Sequence, residues 1–151
     1  MSNLILVRHG QSEWNLENRF TGWVDVDLAP KGKLEAVKAA ELIKEKKINF
    51  DYFFTSYQKR AINTLQLILN TLRIKDAHII KAYFLNERMY GNLTGLNKNE
   101  MKKKLGEKKV FEFRRSWAGK PESLNRNSPF HPLNIEIYKD VPRENIPIRN
   151  R

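Results

Sequence analysis

The sequence predicts an α/β protein in which a mostly parallel sheet is flanked by helices, and the alternation of two kinds of segment supports this. Short apolar runs alternate along the 151 residues with longer segments in which apolar residues recur every three or four positions. Alternation of this kind is typical of strands joined by helices, an order that favours parallel pairing. The length suffices for one domain with a hydrophobic core.

Three segments have the composition of strands. The run "NLILVRHG" (residues 3–10) is continuously apolar until it ends in charge and glycine, so we predict a buried strand over residues 4–8. The segments "FDYFFTS" (50–56) and "AHIIKAYFL" (77–85) are predicted as the second and third strands.

Four segments have helical periodicity. Residues 29–47 form the first, with Pro30 in its first turn and Ala36, Ala40 and Ile43 on its inner face. Ser56 is a plausible N-cap for the second, in which Ala61, Leu65, Ile68, Leu69 and Leu72 repeat at helical spacing. Asn97 and Glu100 resemble a capping box before a short helix that ends near Gly106. The last predicted helix carries Val110, Phe113 and Trp117.

Two segments lack a period. Residues 10–28 are predicted to form a long loop in which Trp14, Phe20 and Trp23 serve packing. Residues 118–151 contain five of the six prolines, and a long irregular stretch counts against a complete domain. We therefore divide the chain into an α/β core over residues 1–117 and an irregular tail of the same domain over residues 118–151.

Composition excludes several classes of protein. No apolar run approaches the ~20 residues of a membrane span, and the first residues do not resemble a signal peptide. The chain has no cysteine, which excludes disulfides and fits a cytoplasmic location. The net charge of +11 is concentrated after residue 97, but no nucleic-acid motif accompanies it. We interpret most of these lysines as a solvated surface.

The stretch "RHGQSEWN" (residues 8–15) has the composition of a phosphate site. A neutral imidazole such as that of His9 is a competent nucleophile, and Arg8 offers fork-shaped donors that match phosphate oxygens. Gly10 allows a close approach of the backbone, while Ser12 and Asn15 add neutral donors. The alternative is a histidine that only ends a strand in a polar loop.

Four ordered segments favour the phosphate site. They are "LVRHGQSEWNLENRFTGWVDVDL", "FTSYQKRAINTL", "LNERMYGNLTGLNK" and "FEFRRSW". In sequence and order they resemble the 2,3-bisphosphoglycerate-dependent phosphoglycerate mutases, within the histidine phosphatase superfamily. The resemblance is strong over residues 3–117 and continues weakly to about residue 148.

The resemblance implies a role for each matching residue. His9 would be phosphorylated, Arg8, Ser12, Asn15 and Arg60 would hold the transferring phosphoryl group, and Glu87 would be the general acid and base. The catalytic set is thus His9, Glu87, Arg8 and Arg60. The remaining substrate contacts would be Gly10, Gln11, Thr21, Gly22, Arg88, Tyr90, Lys98, Arg114 and Arg115.

The resemblance also implies an activity. It is the interconversion of 3- and 2-phosphoglycerate in glycolysis and gluconeogenesis through a phosphohistidine, with 2,3-bisphosphoglycerate as primer. No metal and no tightly bound cofactor would be needed. The expected partner is a small phosphorylated carboxylate, without nucleic acid or membrane, and a homo-oligomer remains open.

The sequence departs from the family in three places. Met89 and Ala29 stand where the family has a histidine and a helix-capping serine. Family members are roughly half as long again, and their C-terminal part has a strand ending in a second His-Gly-Asn, so we expect a fold incomplete at the C-terminus. His78 and His131 do not match that histidine and are interpreted as ordinary strand or surface residues.

Three alternatives to a mutase stay open at this point. They are a non-catalytic remnant that binds phosphorylated anions, a histidine phosphatase that hydrolyses phosphate esters, and, least favoured, a nucleic-acid-binding module.

Overall fold

The chain folds into two structural units that each combine separate stretches of sequence. The computed structural model describes residues 3–148. Unit 1 contains residues 3–13 and 26–85, and unit 2 contains residues 14–25 and 86–148. In chain order the helices and strands are α1 (Glu13–Leu16), α2 (Pro30–Glu45), β1 (Phe53–Thr55), α3 (Lys59–Leu72), β2 (Ile79–Lys81), α4 (Lys98–Leu105) and α5 (Glu107–Arg115).

Two short strands and the helix between them form the frame of unit 1. Strand β1 pairs in parallel with β2, with Phe53 opposite Ile79, which confirms the predicted parallel sheet. Helix α2 packs against α3, and Ala36 and Ala40 are buried. The fixed φ of Pro30 suits the first helical position, while Ala29 provides no side-chain cap, as the sequence predicted.

The predicted first strand is wrong for the described residues. Residues 3–11 form no strand, and the sheet described in residues 3–148 contains only the two strands β1 and β2. Leu4 is 81% exposed and Leu6 is 86% exposed. A continuously apolar run becomes a buried strand only when neighbouring strands and helices cover it. No such cover lies over Leu4 and Leu6 here.

The N-terminus of α3 also differs from the prediction. The N-cap residue is Gln58, and its side chain makes no capping hydrogen bond. Ser56 lies two residues earlier, where its Oγ accepts a hydrogen bond from the Gln58 backbone N–H at 3.2 Å. The serine thus stabilises the turn before the helix, a common alternative to capping for this residue type.

Unit 2 has its own apolar core. Phe20, Tyr90, Leu93, Met101 and Val110 form it. As predicted, Asn97 caps α4, since its side chain accepts from the backbone N–H groups of Asn99 and Glu100. The burial of Phe20 in this core confirms the packing role predicted for it. The segment 10–28 is not wholly a loop, however, because it contains residues of the short helix α1.

Trp117 does not belong to the inner face of the last helix. Helix α5 ends at Arg115, and Trp117 is 89% exposed. Ser116 has an extended backbone with ψ of 145°, so the chain leaves the helical path one residue before the tryptophan. Val110 is buried and Phe113 packs against the core, as predicted.

The tail is more ordered than its composition predicts. Residues 118–148 form three short 3₁₀-helices, Pro132–Asn134, Glu136–Tyr138 and Arg143–Asn145. Buried Tyr138 packs on the ring of Trp23 at 4.7 Å between centroids and donates from its hydroxyl to the Trp23 carbonyl at 2.7 Å. Contacts that are distant in sequence therefore order a segment that has no periodic pattern of its own.

His131 corrects another prediction, because it is fully buried rather than on the surface. Its Nδ1 accepts the Leu133 backbone N–H at 3.2 Å and caps a 3₁₀-helix. Among residues 3–148, its Nε2 has no hydrogen-bond partner. Burial, and then the charge of Arg126, lower the pKa of His131 below its usual 6.5. His78, by contrast, is exposed and precedes β2.

We expect His131→Asn to flatten the pH dependence of unit 2 stability. A base with a lowered folded pKa contributes its full stability above its unfolded pKa of about 6.5 and loses it as the pH falls. Asparagine retains an acceptor suited to the cap but does not titrate. Urea denaturation between neutral pH and about pH 5, with His78→Asn as control, measures the slope. An unchanged slope in His131→Asn would contradict the assignment.

Candidate functional site

The loop after His9 is fixed to the first turns of α2 by hydrogen bonds and a close backbone approach within unit 1. The Ala29 N–H donates to the Gln11 carbonyl at 2.9 Å, and the Gln11 N–H donates to Glu35 Oε2 at 2.8 Å. Gly10 and Gly32 lie so close that a Cβ on either would overlap backbone atoms of the other segment. Because two glycines permit this approach, the residues after His9 have a defined position against the helix.

The His9 ring has a defined tautomer when it is neutral. Its Nδ1 lies 2.7 Å from the Gly10 carbonyl oxygen. A carbonyl can only accept, so Nδ1 carries the hydrogen and donates. The lone pair of the neutral ring is then on Nε2. The half-buried imidazole is therefore arranged to react through Nε2.

Arg60 is fully buried at the first turn of α3. Its guanidinium donates to Gln58 Oε1 at 2.8 Å. One turn further along α3, the Thr64 hydroxyl donates to the Arg60 carbonyl at 2.7 Å and accepts the Gly10 N–H at 3.3 Å. This chain of hydrogen bonds connects the His9 segment with the turn that carries Arg60.

The other predicted residues of unit 1 differ in their surroundings. Ser12 is fully buried and forms a bridge with Leu28, Gln11 is partly buried, and Arg8 is exposed. Nearby, Asp27 Oδ1 accepts from the side chain of Asn63 on α3 at 2.7 Å. Burial alone would raise the pKa of Asp27, but hydrogen bonds from Leu28 and Asn63 and nearby lysines lower it.

Glu87 and Tyr90 form a pair within unit 2. Burial, followed by the charge of Glu87 and a hydrogen bond to it, raises the pKa of Tyr90 to about 12. The phenol is therefore protonated at neutral pH and donates to the Glu87 carboxylate. The charges of Arg88 and Arg114 oppose this shift, which places both arginines near the pair.

Arg88 binds the end of helix α5. Its Nη1 lies 3.2 Å from the Phe113 carbonyl oxygen, and its Nη2 lies 3.3 Å from that of Ser116. The last carbonyls of a helix lack partners within the helix, and a cation there is favourable. The guanidinium thus holds the turn that carries Arg114 and Arg115.

The remaining predicted residues also lie in unit 2. Thr21 is buried, and Gly22, with φ of 58°, packs against the Arg88 carbonyl. The Lys98 ammonium lies 5.9 Å from the centroid of the Phe20 ring, which itself packs on Tyr90. Asn15 and Arg114 are partly buried, and Arg115 is exposed.

The predicted site residues are consequently divided between the two units. Unit 1 carries Arg8, His9, Gly10, Gln11, Ser12 and Arg60, and unit 2 carries Asn15, Thr21, Gly22, Glu87, Arg88, Tyr90, Lys98, Arg114 and Arg115. Sequence reasoning did not identify Thr64 or Gly32. Thr64 follows Arg60 at helical spacing, which is the one sequence signal that could have indicated it.

The described residues contain no metal centre of the usual kind. Within residues 3–148, no group of three or more histidine, aspartate or glutamate side chains could hold a metal ion. In the same range, no helix has both the length and the apolar composition needed to cross a membrane.

Comparison with known proteins gives consistent matches. Residues 4–128 match the histidine phosphatase superfamily, branch 1. The 2,3-bisphosphoglycerate-dependent phosphoglycerate mutase of Pelagibacter ubique is 69% identical over 97% of this chain and 61% of its own length. That of Hamiltonella defensa is 48% identical over 98% of this chain and 59% of its own length.

A solved structure agrees with these matches. The phosphoglycerate mutase of Bacillus anthracis superposes with a TM-score of 0.60 at 27% identity, covering 66% of this chain and 43% of the other. This chain spans about three fifths of the length of the curated relatives it matches.

Proposed function

Because this chain belongs to the histidine phosphatase superfamily, branch 1, we propose that it carries out the phosphohistidine chemistry of a 2,3-bisphosphoglycerate-dependent phosphoglycerate mutase. The relatives that match nearly its whole length at 48–69% identity have this name. The substrate would be 3- or 2-phosphoglycerate, in glycolysis and gluconeogenesis, and the expected location is the cytoplasm.

The tautomer of His9 is the observation that supports this proposal best. With Nδ1–H donated to the Gly10 carbonyl, Nε2 is the nucleophilic nitrogen. In the first step Nε2 attacks a phosphorus of 2,3-bisphosphoglycerate, so an N–P bond forms while the P–O bond to the substrate breaks. The Nδ1 proton stays on the ring through its hydrogen bond.

Arginines supply the stabilising charge. The buried guanidinium of Arg60, together with Arg8, which precedes His9 in the sequence, would bind the oxygens of the transferring group, assisted by Ser12 and Asn15. Phosphoryl transfer depends mainly on such positioning and on compensation of charge at the equatorial oxygens. The burial of Arg60 strengthens this interaction, because electrostatic attraction is less screened away from water.

Glu87 would move the proton of the substrate hydroxyl. It would give a proton to the oxygen that leaves phosphorus, and it would take a proton from the hydroxyl at the other carbon of a monophosphoglycerate when that hydroxyl attacks phospho-His9. The Tyr90 phenol, kept neutral by its raised pKa, orients the carboxylate by donating to it. In the return step the N–P bond breaks and a new O–P bond forms, so the net reaction moves the phosphate between two hydroxyl groups.

The basic residues of unit 2 would bind the rest of the substrate. Lys98, Arg114 and Arg115 offer cations for its carboxylate and its second phosphate. Thr21, Gly22 and the side chain of Gln11 offer neutral donors, and Gly10, which has no side chain, would allow the substrate to approach closely. The two hydrogen bonds from Arg88 to carbonyl groups at the end of α5 support a role for it in orienting the arginine pair.

Phosphate labelling tests the proposed function. We expect incubation with radiolabelled 2,3-bisphosphoglycerate to give an acid-labile phosphate on the peptide that contains His9, seen by mass spectrometry. His9→Ala should lose the label and His78→Ala, at an exposed histidine, should keep it. Label on another residue, or no label on folded protein, would refute the proposal.

The fate of the label separates the alternatives. A mutase transfers it to added 3-phosphoglycerate, and a phosphatase releases it as inorganic phosphate. A non-catalytic remnant binds the bisphosphate without acquiring any label, which equilibrium dialysis would detect.

A further inference from the structure

Thr64 occupies a position that no part of the proposed mechanism explains. It lies on α3 and is buried. Its hydroxyl donates to the Arg60 carbonyl at 2.7 Å and accepts from the Gly10 N–H at 3.3 Å. A hydroxyl has one hydrogen and two lone pairs, so one small group serves both neighbours. Gly10, Thr64 and Arg60 thereby form a continuous chain of hydrogen bonds.

The Gly10 end of this chain controls the nucleophile. The Gly10 N–H belongs to the peptide group that joins it to His9, and the Gly10 carbonyl accepts the His9 Nδ1–H. Glycine has no Cβ and samples more conformations than other residues. A hydrogen bond that holds the Gly10 amide therefore limits the conformations of the residue whose carbonyl decides the tautomer of His9.

The Arg60 end connects the same hydroxyl to the proposed phosphate ligand. Thr64 follows Arg60 by one helical turn, and a threonine in a helix often donates to the carbonyl four residues earlier. Thr71 does so on the same helix, where its hydroxyl donates to the Leu67 carbonyl at 2.8 Å. The bond from Gly10 is what distinguishes Thr64 from this ordinary arrangement.

We propose that Thr64 is a positioning residue for phosphoryl transfer. Its hydroxyl aligns the His9–Gly10 peptide with the turn that carries Arg60, so that Nε2 of His9 is presented in one tautomer and one orientation. The inference deepens the proposed function and rests on it for the transfer itself. The alignment of His9 is a property of the folded chain that can be measured without turnover.

Thr64→Val tests the inference, because valine keeps the shape but leaves the Gly10 N–H without its acceptor. We expect faster hydrogen exchange at the Gly10 amide and a mixture of His9 tautomers in the ring ¹⁵N spectrum. Phosphate incorporation from 2,3-bisphosphoglycerate should slow about three- to tenfold, as expected for one neutral hydrogen bond. Thr64→Ser should leave the Gly10 exchange rate, the His9 spectrum and the labelling rate as in the unaltered chain, since serine retains the hydroxyl.

Thr71→Val is the matched control, because it removes the same bond to the preceding turn on the same helix. This variant should change the stability of the fold without changing the tautomer of His9. If Thr64→Val does not fold, Thr64→Ala, which avoids the valine methyl against the Gly10 N–H, provides the same comparison. Equal His9 spectra and equal labelling rates in the Thr64 and Thr71 variants would overturn the inference.

The readouts separate the two proposals. Absence of label in the unaltered chain would refute the proposed function, while the Gly10 exchange rate and the His9 spectrum would still decide the role of Thr64. Normal labelling of the unaltered chain with no effect of Thr64→Val would refute only the positioning role.

Discussion

Replacing Gly32 by alanine is expected to destabilise unit 1. The new Cβ would overlap the backbone of Gln11, which belongs to the loop that follows His9. Neither side can yield easily, because the atoms in conflict are backbone and the Ala29 N–H holds the Gln11 carbonyl at 2.9 Å. Forced overlap of this kind typically destabilises by about 1–3 kcal/mol and occasionally by more. Alanine recovers only about 1 kcal/mol of helix propensity.

Thermal denaturation followed by circular dichroism measures this effect. Lys38→Ala, at an exposed position of the same helix, should change the melting temperature little. Gly10→Ala should resemble Gly32→Ala, since each glycine faces the other segment. A Gly32→Ala variant that melts with or above the unaltered chain would show that the loop after His9 does not depend on this close approach.

The second large effect expected is concentration-dependent self-association through unit 1. Leu4 and Leu6 are mostly exposed in an apolar segment that forms no strand, and Phe54 of β1 is 60% exposed. Each strand of the two-stranded sheet has one edge without a strand partner in residues 3–148. Open edges with apolar side chains favour pairing between chains, and burying a leucine contributes about 1.5–3 kcal/mol.

Sedimentation velocity over a wide concentration range tests this expectation. Leu6→Lys combined with Phe54→Lys should shift the chain toward the monomer, because charge at an edge opposes pairing. Trp117→Lys, at an exposed aromatic residue of unit 2, is the control. A monomer at all concentrations, or an equal shift in the control, would contradict a role for the unit 1 edge.

The sequence predicted those elements whose signals are local. The boundaries of α2 follow from Pro30 and from alanines at helical spacing, and α4 begins at the Asn97 cap. The parallel pairing of β1 and β2 follows from the helix between them. For the site, the Arg-His-Gly order indicated the nucleophile, and the resemblance supplied the other residues, which are divided between the two units.

Features that depend on distant partners were not predictable in this way. The run at residues 4–7 has the composition of a buried strand, but burial depends on neighbours from elsewhere in a fold. His131 lies between turn residues and yet is buried, because non-local contacts organise the tail around it. The role of Thr64 depends on a hydrogen bond to Gly10, 54 positions earlier.

The division of the chain into units has a consequence for its folding order. Residues 14–25 belong to unit 2 although they precede most of unit 1, and Trp23 meets Tyr138 across 115 positions. Closing so long a loop has a large entropic penalty before any contact forms. On the ribosome, residues 14–25 would emerge before residues 86–148, with which they form unit 2, have been synthesised. A cleavage between residues 85 and 86 would leave unit 1 whole on the N-terminal fragment but would separate residues 14–25 from the rest of unit 2.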